Sequence, residues 1–289
     1  MSANSLATVK HLCTEQGFVQ SKTDRALFTK IVGREECYVN VHVDDFLSTG
    51  TPKLLQQFRN ALYAKFSMTG GLVERHYGLR IKRNKHGHVL VDCQDYIESK
   101  CEELEISSGS PKTPMQTDIH LPKMEGVCTN TVLHKRYRTL VGSLMHAAVT
   151  CRPDIAFSVG TLSRHLQHPS QIHVDAAERV FKYLRYTADL SLCYGRLRSA
   201  HTFYGTCDAS HAAVNFLGVT GWHFNFCGGA ISWKRSFQKL ISHSSTESEL
   251  IALDEAAREP VYLQKLLKDF RVNVELPILS DKTTNQRSS

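Results

Sequence analysis

Residues 201–281 read as three successive short β-type runs, then one long run of apolar residues at helical spacing, then a short terminal strand-like run. Residues 201–207 are rich in β-branched and aromatic types and lead into Asp208, which predicts a strand with an acid at its far end. Residues 219–226 alternate as a second strand, and Gly228-Gly229 punctuates a turn before Ala230-Ile-Ser-Trp233, the third. Residues 240–243 extend or follow it. From Thr246 onward Leu250, Ile251, Leu253, Ala256, Ala257, Val261, Leu263, Leu266 and Leu267 fall at helical spacing, with Ser244 or Ser245 available as N-cap. Pro260 should kink or divide that helix, because it removes a backbone donor and clashes with the preceding turn. Leu276-Pro-Ile-Leu-Ser-Asp281 then reads as a strand ending in an acid.

This order places Asp208 at a strand end, Glu247 in the first turn of a helix and Asp281 at another strand end. Hard cations take oxygen ligands from several rigid elements, and two Mg²⁺ ions about 4 Å apart suit in-line phosphodiester hydrolysis. The three carboxylates therefore suggest a metal-dependent nuclease. Each also has a structural alternative. Ser244-x-x-Glu247 has the spacing of a capping box, in which the glutamate satisfies a backbone N–H. Asp208 and Asp281 are also acceptable as turn or capping residues.

Cys207-Asp-Ala-Ser-His211, Gly229-Ala-Ile-Ser-Trp-Lys234 and Ser244-Ser-Thr-Glu-Ser-Glu249 resemble the RNase H domain of copia-type retrotransposon Pol polyproteins over roughly residues 200–281. The resemblance implies that Asp208, Glu247 and Asp281 bind Mg²⁺. It also implies that the substrate is the RNA strand of an RNA–DNA hybrid. The family's last Asp is followed directly by Asn-Gln, whereas here Lys282-Thr-Thr precedes Asn285-Gln286.

Upstream, residues 36–43 and Phe46-Leu-Ser-Thr49 read as two β-runs joined at Asp44-Asp45. Adjacent aspartates at a hairpin tip are either turn formers or metal ligands. The segment resembles the reverse transcriptase active-site hairpin of the same polyproteins, with His42 where the family has an aromatic residue. On that resemblance Asp44 and Asp45 are two of three catalytic, Mg²⁺-binding carboxylates. The third lies upstream of the region this chain resembles, so the resemblance implies no autonomous DNA synthesis. Gln16-Gly-Phe-Val-Gln-Ser-Lys-Thr-Asp24, Phe66-Ser-Met-Thr-Gly70 and His76-Tyr-Gly-Leu-Arg-Ile81 follow the family order. So do Tyr137-Arg-Thr-Leu-Val-Gly-Ser-Leu-Met145, Thr150-Cys-Arg-Pro-Asp-Ile-Ala156 and Leu162-Ser-Arg164.

The expected fold class is an α+β reverse-transcriptase palm fragment (1–115), a helical connection (116–197) and an α/β RNase H-like domain with a mixed sheet (198–289). Both enzyme regions are expected to be truncated. Within the connection, residues 172–187 form an amphipathic helix with Val174, Ala177, Val180, Phe181 and Leu184 on its apolar stripe. Its Arg179, Lys182 and Arg185 suit a solvated face or a nucleic-acid backbone. His86-Gly-His88 reads as a hairpin turn rather than a metal fragment.

A net charge of +7 over 289 residues favours a polyanionic partner without identifying one. Nine cysteines without a C-x-x-C pair suggest reduced thiols in cytosol or nucleus, and no run approaches the roughly 20 apolar residues of a membrane span. The sequence therefore supports a retrotransposon-derived reverse transcriptase/RNase H fragment. Its expected partners are an RNA–DNA hybrid or other nucleic acid and other Pol or Gag-derived chains. The alternatives are a non-catalytic nucleic-acid-binding or assembly protein and an inert relic.

Overall fold

The computed structural model describes residues 3–42, 45–117, 119–124, 130–195, 203–214, 217–276 and 279–281. They form a mixed α/β protein whose chain divides into two compact units, Met1–His76 with Arg258–Leu276, and Tyr77–Ala257 with Pro277–Ser289. Among the described residues no helix is long and apolar enough to cross a membrane.

In the first unit α1 (Ala3–Glu15) precedes an antiparallel meander of β1 (Val19–Gln20), β2 (Leu27–Val32), β3 (Glu35–His42) and β4 (Asp45–Gly50), followed by α2 (Pro52–Lys65) and the short β5 (Arg75–His76). The period of two in β3 buries Cys37, Val39 and Val41 against Phe28, and α2 adds Leu54, Phe58 and Leu62 at helical spacing. Full burial of each such Leu or Phe contributes roughly 2 kcal/mol. Gly33, at φ 62, opens the two-residue β2–β3 turn as a type II′ turn requires. The expected acidic hairpin is present, with His42 opposite Asp45 in register. The last turns of the chain's final helix belong to this unit, where Ser21 Oγ donates to Asp269 Oδ2 at 2.6 Å.

The second unit opens with β6 (Leu79–Arg83), which pairs antiparallel with β7 (Val89–Asp92), and β7 pairs in turn with β8 (Leu192–Tyr194). The histidine-bearing turn between β6 and β7 is the expected hairpin connection. Asn84 Oδ1 accepts from the amides of His86 and His88, and Gly87 takes φ 79. The helices are α3 (Gln94–Glu103), α4 (Thr131–Thr150), α5 (Ala156–Leu162) and α6 (Gln171–Tyr186), with single 3-10 turns before and after α5. Tyr137, Leu140, Leu144, Ile155, Leu162, Phe181 and Leu184 are the centre of their common core. The apolar stripe of α6 is buried as its sequence predicts. Two of its cations reach loop carbonyls: Arg185 donates to Ile106 O at 3.0 Å and Arg179 to Thr113 O at 3.4 Å.

A second sheet in this unit has the order β11-β10-β9-β12, built from β9 (Tyr204–Val214), β10 (Leu217–Phe226), β11 (Gly229–Phe237) and β12 (Leu279–Asp281). The first three strands are antiparallel, and β12 lies parallel to β9. Three expectations are corrected. Asp208 lies inside β9 rather than at a strand end, because residues 208–210 continue the ladder to β10 with Ser210 opposite Val219. The β10–β11 turn is Cys227-Gly228, both at positive φ as in a type I′ turn, and Gly229 already starts β11. Residues 240–243 are loop. Helix α7 (Ser245–Asp269) runs unbroken through Pro260, although the boundary between the units, at Ala257 and Arg258, falls within one turn of that proline.

The run Thr150-Cys-Arg-Pro-Asp154 has a structural role. Arg152 is 2% exposed, and its guanidinium donates to both carboxylate oxygens of Asp154 at 2.9 and 2.7 Å. It also donates to Thr187 O at 2.9 Å, and Tyr183 Oη donates to Asp154 at 2.9 Å. Burial opposes ionisation of Asp154, but the paired Arg152 and the Tyr183 hydroxyl outweigh it and hold the carboxyl below its usual range. Asp154→Ala should cost roughly 3 kcal/mol in urea unfolding, because it leaves the Arg152 charge buried without its carboxylate. A smaller cost, matched by Arg152→Met, would show that the pair contributes little.

His165 is buried and stacks on His173 with ring centroids 4.1 Å apart. Burial first, then the neighbouring His173 and Arg164, push the His165 pKa down from 6.5 to about 4. The unfolded chain therefore takes up this proton first. Its contribution to stability is complete above pH 6.5 and is lost as pH falls towards 4, at up to about 1.4 kcal/mol per pH unit. Urea midpoints measured across that window should fall with pH in the natural chain and fall less steeply in His165→Phe.

Candidate functional site

The β-sheet of the second unit has two chemically different faces. Cys207, Thr220, Trp222 and Phe224 are buried on one side. On the other side Asp208 stands opposite Gly221, and Gly221 stands opposite Arg235. Directly paired residues of an antiparallel ladder share a face, so these three form one row across three strands. With strands roughly 4.8 Å apart, Asp208 and Arg235 are separated by roughly 10 Å of backbone, with the glycine between them. No heavy atom lies within 4 Å of the position a Cβ would take at Gly221.

This row is the floor of a cleft of about 1000 Å³, whose opposite wall includes Phe157 and Thr161 of α5 and Arg164 just beyond it. Asp208 is exposed, and among the described residues its carboxylate has no hydrogen-bond or ion-pair partner. Arg235 is different. Its Nε and Nη1 are buried without a hydrogen-bond partner among the described residues, and its guanidinium lies 4.5 Å from the ring centroid of Phe157 and 4.3 Å from that of Phe237. Arg164 lies 4.3 Å from the Phe237 ring as well. Burial, and then the charge of Arg164, push the Arg235 pKa down to about 10.

The N-terminus of α7 is tied to the sheet by a polar knot. His211 Nδ1 lies 3.0 Å from Ser242 Oγ and 3.1 Å from Ser248 Oγ. Gln238 Nε2 donates to Ser248 O at 2.7 Å and to Thr220 Oγ1 at 3.2 Å. Ser242, Ser248 and Gln238 are buried. His211 and Ser248 lie within the sequence motifs, but their spacing assigns them no role. The available signal was the serine repeat 244, 245 and 248, which is poor in helix-forming residues and so suggests side-chain bonding to backbone or neighbours.

Glu247 sits in the first turn of α7, as expected. Its amide donates to Ser244 Oγ at 3.1 Å, and its Oε2 accepts from the His243 amide at 2.6 Å. This is a capping arrangement shifted by one residue from the usual reciprocal box, since the glutamate reaches the amide before the N-cap. Asp281 ends β12 opposite Cys207, one position before Asp208 on the neighbouring strand. Its side chain is not among the described ones. Among the described residues no three His, Cys, Asp or Glu side chains gather as a metal-holding group. Oxygen donors such as the unpartnered Asp208 carboxylate and the partly engaged Glu247 carboxylate fit a hard divalent cation in their chemistry.

Asp44 lies outside the described residues. Asp45 begins β4, exposed and opposite His42. The charge of Asp45 favours protonation of His76, but burial acts more strongly and lowers the pKa of that histidine. Asp45 therefore stands in a small histidine-flanked surface group.

Several curated proteins are similar to the chain over most of its length. A transposon Ty5-1 protein of Saccharomyces cerevisiae is 32% identical over 250 residues, covering 84% of this chain and 80% of the relative. The retrovirus-related Pol polyprotein from transposon TNT 1-94 of Nicotiana tabacum is 32% identical over 265 residues, and that from transposon RE1 of Arabidopsis thaliana is 30% identical over 266. These matches cover 88% and 90% of this chain, but it spans only 20% and 18% of the two plant polyproteins. No family model and no solved structure matches the chain.

The cap geometry separates two roles that sequence leaves merged in residues 244–247. Ser244→Ala removes the acceptor for the Glu247 amide and should lower stability by about 1 kcal/mol. Glu247→Gln keeps an oxygen for the His243 amide and should stay within about 0.5 kcal/mol of the natural chain. Equal losses in denaturant midpoint would show that the carboxylate charge, rather than an oxygen acceptor, maintains the helix start.

Proposed function

Because the chain belongs to the copia-type retrotransposon Pol polyproteins, we propose that residues 204–281 are an RNase H-like domain that hydrolyses the RNA strand of RNA–DNA hybrids. The observation that carries this reading is topological. A three-stranded meander leads into a helix and then into a strand parallel to the first, with Asp208 on the first strand, Glu247 at the helix start and Asp281 on the returning strand. The same elements are those the sequence motifs require.

In this reading Asp208, Glu247 and Asp281 would hold Mg²⁺, which supplies charge neutralisation and Lewis acidity for phosphodiester hydrolysis. The ladder that holds β9, and the lack of a partner for the carboxylate among the described residues, support this role for Asp208. Glu247 keeps its Oε1 available while its Oε2 is used at the helix start. The sheet floor and the α5 wall orient the strand by its phosphates, and discrimination between RNA and DNA rests on the 2′-hydroxyl and on hybrid shape. The β3–β4 hairpin with Asp44 and Asp45 is, by resemblance, a reverse-transcriptase palm element. One observation favours a second reading, a non-catalytic nucleic-acid-binding protein: Glu247 already has a structural task in the cap.

The test is Mg²⁺-dependent cleavage of a labelled RNA–DNA hybrid by purified, folded protein, with single-stranded RNA as control. Asp208→Asn and Glu247→Gln should each reduce cleavage on the order of 100-fold or more, as when a group stabilising transition-state charge is lost. Hybrid binding without cleavage by the natural chain would favour the binding reading. Neither binding nor cleavage would reject both.

A further inference from the structure

Arg235 combines three properties that conflict within the chain itself. Its guanidinium is largely buried, two of its nitrogens lack a hydrogen-bond partner among the described residues, and a second guanidinium, that of Arg164, approaches the same aromatic ring. A buried cation is normally paired, since leaving water costs far more than ring contacts return. No carboxylate pairs with either arginine among the described residues. Both line the cleft whose floor is the empty place above Gly221. Gly160 of α5 helps keep the guanidinium where it is, since a Cβ there would come within 2.9 Å of Arg235 Nη1.

We propose that Arg235 and Arg164 form a phosphate seat over Gly221, which grips one phosphodiester of a bound nucleic-acid strand next to Asp208. The assignment of the strand rests on the nuclease reading above, whereas the seat itself rests on the unpartnered guanidinium and the open floor. A guanidinium presents its donors in a planar fork matched to a phosphoryl group. A phosphate in the cleft supplies the negative charge that relieves the repulsion of Arg235 from Arg164. The backbone separation across the row, roughly two strand spacings, leaves room for a phosphate at one side and the Asp208 carboxylate at the other. Arg164 comes from the helical region and Arg235 from the sheet, so the seat depends on packing that neither segment provides alone. Arg235 and Arg164 are positioning residues in this assignment, and they take no part in bond breaking.

The test uses the full chain labelled with ¹⁵N-arginine, titrated with inorganic phosphate against chloride at matched ionic strength. A saturable shift of the Arg235 Nε–H resonance, lost in Gly221→Val, is the expected result. The valine fills the seat from a position with space for a side chain, so its unfolding midpoint should stay near that of the natural chain. An absent or unsaturable shift overturns the seat. An RNA–DNA hybrid should displace the phosphate, and a saturable site that the hybrid leaves untouched overturns the nucleic-acid assignment.

In an Asp208→Asn background, which suppresses cleavage, Arg235→Gln should weaken hybrid binding roughly tenfold and reduce the slope of log affinity against log salt by about 1. Arg235→Lys should recover part of the salt slope but less of the affinity, because its ammonium lacks the fork. An unchanged slope overturns the role of Arg235 in gripping the strand. The two readings fail separately. A phosphate-responsive Arg235 in a protein that never cleaves hybrid leaves the seat and removes the nuclease. Cleavage with no phosphate response at Arg235 does the reverse.

Discussion

The buried guanidinium of Arg152 is the constraint on which the second unit depends. It joins the end of α4 and the adjoining turn at Asp154 to the end of α6 at Thr187, 35 residues further along the chain. A charge so deeply buried tolerates little displacement, because each lost partner leaves an uncompensated donor in a medium of low dielectric. The direction in which the chain leaves α4 is thereby set, and with it the course of α5 immediately afterwards. Trp233 Nε1 donates to Ala148 O at 2.7 Å, which fastens β11 to the last turn of α4 beside the same junction. The cleft wall at Phe157 and Arg164 and the cleft floor at Arg235 are therefore held by a single anchored corner.

The sequence was most legible where one physical rule acts alone. The period of two predicted the meander, the spacing in residues 172–187 predicted α6, and the Ser244-x-x-Glu247 pattern predicted the cap at α7. It was less legible where a partner element overrides local preference. Residues 208–210 look like the end of a strand, with Asp, Ala and Ser in succession, yet pairing with β10 carries β9 through them. Lys234, Arg235 and Ser236 are poor strand formers by composition, and β11 includes them because each has a register partner on β10. Pro260 was read as a kink or division, whereas α7 runs continuously through it.

The candidate site shows the same division. Glu247 was legible as a helix-start residue, since its local element determines where it lies, whereas Asp208 was read as a strand end and lies inside β9. Arg235 was not legible, because its character comes from burial by α5, from the neighbouring Arg164 and from a glycine on the adjacent strand. None of these lies near it in sequence, and an arginine on a strand has no distinguishing periodicity. The same glycine, Gly221, would ordinarily be read as a weak point in a strand. Here the open space above it is what separates an acid from a cation on one sheet face.

The net positive charge of the chain acquires meaning only after internal pairing is taken into account. Arg80 is bound to Asp92, Arg136 to Glu178 and Arg152 to Asp154, while Arg179 and Arg185 hold loop carbonyls. These cations contribute to the formal charge but have structural work inside the fold, so the basic helix face suggested by α6 offers little to a polyanion. Arg164 and Arg235 are the contrasting case, since they are drawn together by aromatic rings and face a cleft without an acidic partner among the described residues. Internal pairing thus accounts for several of the arginines and leaves Arg164 and Arg235 without an acidic partner among the described residues. These two arginines line the same cleft as the Asp208 carboxylate, which has no partner among the described residues, and that juxtaposition is the setting of the phosphate seat proposed above.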